Sequence, residues 1–288
     1  MKITPISKIY TGQDGAIFGE YLFRFDQKGN GRVYAMSDIV SGNAEEEVFP
    51  IAKFTLDRAD EITPHCNAVV FGKEYFEEGD EFPILYSNIY NTYKNAEDKM
   101  CGTACAYRIQ KNGDGFTSTL VQIIAVGFTD SRELWRSSGE VADVRPYGNF
   151  VVDNDHSKYY AYVMRDGENS TRYFRFAMPS VRDGKICEKF GVPRVVLSES
   201  DIEEYFDVPY HNYIQGGVYY DGKIYEVEGF GKDVRSAIRV INCETKCQEL
   251  YFDFYEAGYG IEPECIDFYK GKCIYSDGHG NVFELSFQ

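Results

Sequence analysis

Two stretches late in the chain share one rhythm. Tyr213 to Gly231 and Ile261 to Phe287 each read as an apolar strand, a tight Gly turn, a second apolar strand, a Gly-rich turn and a third strand. Alternating apolar strands broken by short Gly, Asp and Asn turns are the hairpin pattern. A unit built this way has two apolar faces and cannot cover both alone. It must stack on copies of itself. That requirement limits the fold more than any other feature of the sequence.

Five segments fit the unit: Gly15 to Leu56, Asn67 to Val126, Asn149 to Leu197, Gly217 to Asp253 and Cys265 to Phe287. Regular neighbours start roughly 50 residues apart, and insertions lengthen the others. Four strands per unit, repeated radially, make a β-propeller blade. In this reading Arg194–Leu197 is the outer strand of the third unit. The fifth unit has only three strands before the chain ends. Ile3 to Tyr10 stands spare ahead of the first unit and can pair with Asn281 to Phe287, which removes an exposed edge. The expected architecture is therefore all-β: a five-bladed β-propeller, one domain over residues 1–288, closed by the N-terminal strand in the last blade. Residues 87–102 and 130–146 read as insertions. Ser200 with Glu203 has a capping-box pattern, so Ser200 to Phe206 reads as one or two helical turns.

Composition narrows the classes. Hydrophobic residues make up 43% of the 288 residues, enough for a packed core. Aromatics reach 16%, and such side chains suit half-buried pleated surfaces. The net charge of −16 argues against nucleic acid and against an anionic membrane surface as partners. No run approaches the ~18 apolar residues of a membrane span. The N-terminus lacks the apolar stretch of a signal peptide, so a cytoplasmic location is expected. The eight Cys include Cys101/Cys105 and Cys243/Cys247, pairs without zinc spacing or matching His, and read as free thiols. No P-loop, dinucleotide fingerprint or Gly-x-Ser-x-Gly elbow occurs.

In a propeller, the loops leading into each inner strand open on the same face as the loops joining second and third strands. Binding sites on rigid β scaffolds form from such loops. The first set carries Asp14, His65, Asn67, Asn149, His211, Gln215, Glu262 and Glu264. The second carries Glu226, Glu228, Asp277 and His279. The ligand-binding candidates are Asn67, Asn149, His211, Gln215, Glu264 and His279. They point to a small polar molecule, a carbohydrate or a peptide as partner. No cofactor is expected, although the acidic mouth has the charge to attract a divalent cation. The ordinary role of each residue type competes with this reading. Asn and Asp form turns ahead of strands, and Gln215 precedes two glycines that suit close backbone approach.

The run Tyr213-Ile-Gln-Gly-Gly-Val-Tyr-Tyr-Asp-Gly-Lys-Ile-Tyr-Glu-Val-Glu-Gly resembles the signature of plant and bacterial glutamine cyclotransferases. Gln215, Gly216, Tyr225, Glu226 and Gly229 fall on matching positions. The resemblance implies a five-bladed propeller and makes Glu226 the acid/base in cyclisation of an N-terminal glutamine. It covers about one blade. The family's Leu-Asn-Glu-Leu-Glu and Ala-Asn-Val-Trp segments are missing, and the chain has one Trp where the family's channel is Trp-rich. Gln-Gly followed by Glu262-Pro-Glu264 is similar to propellers related to teichoic-acid biosynthesis protein C and phage receptor-binding proteins, which implies binding. Three functions follow: a ligand- or partner-binding propeller, a cyclotransferase-like enzyme using Glu226, or a structural interaction scaffold.

Overall fold

The computed structural model describes residues 1–62, 64–89, 102–135, 149–210 and 213–287. Its strands form five sheets. β1 (Lys2–Lys8) is first in the chain but lies in the last sheet. β2 (Gly15–Phe18), β3 (Tyr21–Phe25), β4 (Asn30–Ala35) and β5 (Ala52–Thr55) form the first blade. β6 (Val69–Phe71), β7 (Leu85–Asn88), β8 (Thr103–Asn112) and β9 (Gly115–Val126) form the body of the second. β10 (Asn149–Asp153), β11 (Lys158–Arg165) and β12 (Ser170–Ala177) begin the third.

Two strands then leave the third blade. β13 (Lys185–Cys187) and β14 (Val192–Leu197) extend the second sheet to six strands, with β14 parallel to β9. β15 (Glu204–Pro209) completes the third blade beside β12. The fourth blade runs β16 (Ile214–Tyr220), β17 (Lys223–Glu228), β18 (Ala237–Asn242) and β19 (Cys247–Asp253). The fifth has β20 (Pro263–Tyr269), β21 (Lys272–Asp277) and β22 (Asn281–Ser286), with β1 on its outer edge.

The chain is a five-bladed β-propeller. The inner strands β2, β6, β10, β16 and β20 pack on one another all the way round the axis. The ring closes as the sequence predicts: β1 pairs antiparallel with β22, from Lys2 opposite Ser286 to Lys8 opposite Asn281. Ile9, just past this strand, is buried at 3% exposure. Burying one such aliphatic side chain contributes about 1.5–3 kcal/mol.

Two expectations are corrected. Arg194–Leu197 belongs to the second blade, not the third, because its N–H and C=O groups pair with Ile123–Val126. The stretch read as helix keeps only a 3₁₀ turn, Glu199–Asp201, and its capping box joins Ser198 to Asp201. The chain then extends into β15, where Phe206 and Val208 point inward and Tyr205 and Asp207 outward. That period of two suits a strand and cannot bury one stripe of a helix.

The seams between blades differ. The first and second blades meet across a dry aromatic cluster. Phe23 lies 5.2 Å from Phe71, 5.3 Å from Phe82 and 5.5 Å from Phe116, all edge-to-face. The third and fourth meet partly through charge. The described cysteines are free thiols, and Cys66, Cys105, Cys265 and Cys273 are buried.

Candidate functional site

The entry loops, together with His279 of the second loop set, come to one end of the axis, whereas Glu226 and Glu228 do not join them. Two clefts open there. One, of about 570 Å³, is lined by Gln13, Gln27, Phe230, Glu262, Glu264 and His279 among others. The second, of about 370 Å³, includes His65, Asn67, Tyr213 and Gln215. They share Gln13, Gln27, Phe230 and Glu262, so they form one continuous mouth.

Each functional side chain is placed by its strand. Gln215 is the second residue of β16, and its Nε2 donates to Glu262 Oε1 at 2.8 Å. The glycine after it lets β16 approach β20: a Cβ at Gly216 would stand 2.5 Å from the carbonyl oxygen of Glu264. Part of the Gln-Gly motif is therefore scaffold. Glu264 is only 2% exposed. Its Oε1 accepts from Gln13 Nε2 at 3.2 Å. Its Oε2 is buried and has no hydrogen-bond partner among the described residues. Burial pushes the Glu264 carboxyl well above the usual range, the nearby Arg24 guanidinium opposes this, and Glu262 and Asp14 add to it. Burial also raises Glu262.

Beside the mouth residue Gln13, Asp14 is wholly buried. Its Oδ2 accepts the Val69 N–H at 2.9 Å, tying first blade to second. Desolvation holds its carboxyl well above the usual range, against hydrogen bonds from Val69 and Gly15. Arg24, wholly buried, donates from Nη2 to the Gly12 carbonyl at 2.8 Å and from Nη1 to Ser276 Oγ.

Amides hold the other wall. Asn88 Oδ1 accepts the Asn67 and Ala68 N–H groups at 3.1 Å each. Its Nδ2 donates to Asn67 Oδ1, and to Asn149 Oδ1 at 3.0 Å. Asn67 and Asn149 are both 2% exposed. Burial lowers the His65 pKa, favouring the neutral ring.

Asn67, Gln215, Glu264 and His279 thus converge on the mouth, and Asn149 joins it through Asn88. His211 lies outside the described residues. Asp277 caps the β21–β22 turn, accepting the His279 and Asn281 N–H groups at 3.0 and 2.9 Å. Gln13, Gln27, Asn88 and Phe230 were not legible as site residues. Gln13 directly precedes Asp14, and that adjacency was the available signal.

Glu226 is elsewhere. It lies in the seam between third and fourth blades at 0% exposure, as does Arg239. Arg239 Nε and Tyr173 Oη both donate to Glu226 Oε2, at 2.8 and 2.6 Å. Arg239 also donates from Nη1 to the Pro209 carbonyl at 2.8 Å and from Nη2 to Thr171 Oγ1 at 2.9 Å. Glu228 Oε2 stands 3.6 Å from Arg239 Nε. Burial raises the Glu226 carboxyl while Arg239 and Tyr173 pull it down. Among the described residues, no group of three or more His, Cys, Asp or Glu is arranged to hold a metal ion.

No family model and no curated protein sequence matches the chain. Solved structures do. A glutaminyl cyclase from Myxococcus xanthus aligns with TM-score 0.50 and 12% identity over 99% of this chain and 93% of that one. A putative oxidoreductase (glucose dehydrogenase) from Thermus thermophilus gives 0.47 and 10%, over 99% of both chains. A luciferin-regenerating enzyme gives 0.44 and 8%, over 98% and 94%. At such identities the likeness is one of fold.

Proposed function

We propose that this propeller binds a small polar ligand, rich in hydroxyl or amino groups, in the mouth between Gln215, Glu262 and Glu264. The carrying observation is Glu264 Oε2: a buried, unpartnered carboxyl oxygen on a residue that lines the cleft. Leaving such an atom unsatisfied costs about 1–3 kcal/mol, which a ligand in the adjoining cleft would recover. The amides of Gln13 and Gln27 line the same cleft and supply both donors and acceptors. Phe230, 45% exposed, offers an apolar face at the rim.

Thermal-shift and calorimetric titrations with simple sugars, amino sugars, amino acids and short peptides test this. At least one class raises the unfolding temperature of the wild type, and Glu262→Gln and Gln215→Leu each weaken it about tenfold, the size of one lost hydrogen bond. Binding indifferent to both substitutions, or no binding by any class, contradicts the reading.

The cyclotransferase reading needs Glu226 to reach substrate. Its carboxylate is instead engaged by Arg239 and Tyr173, away from both clefts.

A further inference from the structure

A separate cavity lies toward the other ends of the inner strands. It measures about 850 Å³ and shares no lining residue with the two mouth clefts. Every inner strand contributes to its wall: Ile17, Val70, Val152, Val218 and Asp267. Four are aliphatic and one is a carboxylate. A charge set among aliphatic side chains is costly unless something neutralises it. Among the described residues, no cation other than Lys73 lines the cavity, whereas Asp155 and Asp221 add two further acids at its rim.

Asp267 is rigidly held. Oδ2 accepts the Ile17 N–H at 2.6 Å and Oδ1 the Phe268 N–H at 2.7 Å. Each oxygen keeps a second lone pair. Beside it, Tyr220 stacks on Phe268 with ring centroids 3.8 Å apart and planes within 5°, giving a flat aromatic wall. Burial lifts the Asp267 pKa to about 7, against the two backbone hydrogen bonds. It is therefore ionised in mildly alkaline buffer.

We infer that this cavity is a second ligand site, for a primary aliphatic amine. The ammonium group sits on Asp267, and the alkyl chain lies along Ile17, Val70, Val152 and Val218. An amine supplies both the counter-charge and the apolar body that the wall demands, whereas an alcohol lacks the charge and a carboxylate brings the wrong one. This site is independent of the mouth.

The probe is n-hexylamine at pH 8, with n-hexanol and hexanoate as controls, followed by amide NMR shifts and calorimetry. Hexylamine shifts the Ile17 and Phe268 amides, which report directly on the Asp267 carboxylate. Hexanol binds at least tenfold more weakly and hexanoate not at all. Asp267→Asn weakens hexylamine at least tenfold and leaves hexanol unchanged. The exposed Lys73→Ala, remote from the core, strengthens hexylamine two- to threefold by removing a like charge. It keeps the test intact if Asp267→Asn folds poorly. Shifts confined to the mouth residues, equal binding of amine and alcohol, or no shift at Ile17 and Phe268 at 50 mM amine each overturn the inference.

Discussion

Two buried glutamates, Glu226 in the seam between blades and Glu264 at the channel mouth, look alike in sequence and behave oppositely in the fold. Both are almost wholly inaccessible, and burial raises both carboxyls. Glu226 has a cation at 2.8 Å and a phenol at 2.6 Å. Glu264 has one amide at 3.2 Å; each acid keeps one buried oxygen without a partner among the described residues, but of the two only Glu264 lines a mouth cleft. A buried acid whose partners lie within the protein joins parts of the scaffold. One that is short of partners and borders a cavity is open to a ligand. The Glu226 group also contrasts with the seam around Phe23, where the centre of the blade-to-blade contact is a cluster of aromatic rings.

The largest expected effect belongs to the seam. Glu226→Leu removes the nearest counter-charge of buried Arg239, leaves it Glu228 at 3.6 Å, and should cost about 3 kcal/mol in urea unfolding. Adding Arg239→Met should recover only part of that loss, because it removes the second charge of the pair but takes the nearby cation from buried Glu228. A Glu226→Leu protein of native stability would break the comparison. Activity probes the same point: a peptide with N-terminal glutamine should not be cyclised. Turnover by the wild type that vanishes in Glu226→Gln would move the chemistry into the seam.

At the mouth the expectation reverses. Glu264→Gln keeps the acceptor for Gln13 and removes a desolvated carboxyl. Stability should stay within about 1 kcal/mol of the wild type or rise, while ligand affinity falls about tenfold. Equal destabilisation by Glu264→Gln and Glu226→Gln would erase the distinction.

The smallest effect is in the pH profile. A carboxyl whose folded pKa stands above its unfolded value holds more protons when folded, so stability falls as pH rises between the two. For Asp267 that window runs from the unperturbed 3.8 to about 7. For Glu264 it begins at 4.5 and extends upward. Unfolding temperature should therefore decline across these windows. Asp267→Asn and Glu264→Gln should each flatten the decline more than Glu226→Gln, whose partners already offset its burial.

The sequence made the architecture legible because blade repetition is a property of pattern. The spare strand Ile3 to Tyr10 and the three-stranded last unit pointed to closure without any side-chain detail. Strand membership was harder. Arg194–Leu197 alternates well enough to be any outer strand, and nothing local says that it runs parallel to β9. Ser200 to Phe206 offered a capping pattern that the apolar alternation of Phe206 and Val208 overrides. At the site, Gln215 and Glu264 were legible from their offsets ahead of inner strands. Asn88 was hidden in a stretch read as insertion. Glu226 was read toward the mouth from its position near the turn joining second and third strands, and the resemblance gave it the acid/base role. Its placement is decided by Arg239, Tyr173 and Thr171, which come together only in the folded ring.

A crystallographic soak with a panel of polyols, amino sugars and small amines tests the central claim most directly. Density for hydroxyl- or amino-bearing fragments should appear in the mouth, within hydrogen-bonding distance of Glu262 and Glu264 Oε2, with the Glu226–Arg239 pair undisturbed. A mouth that stays empty across the panel, or fragments that displace Arg239 to reach Glu226, would contradict it.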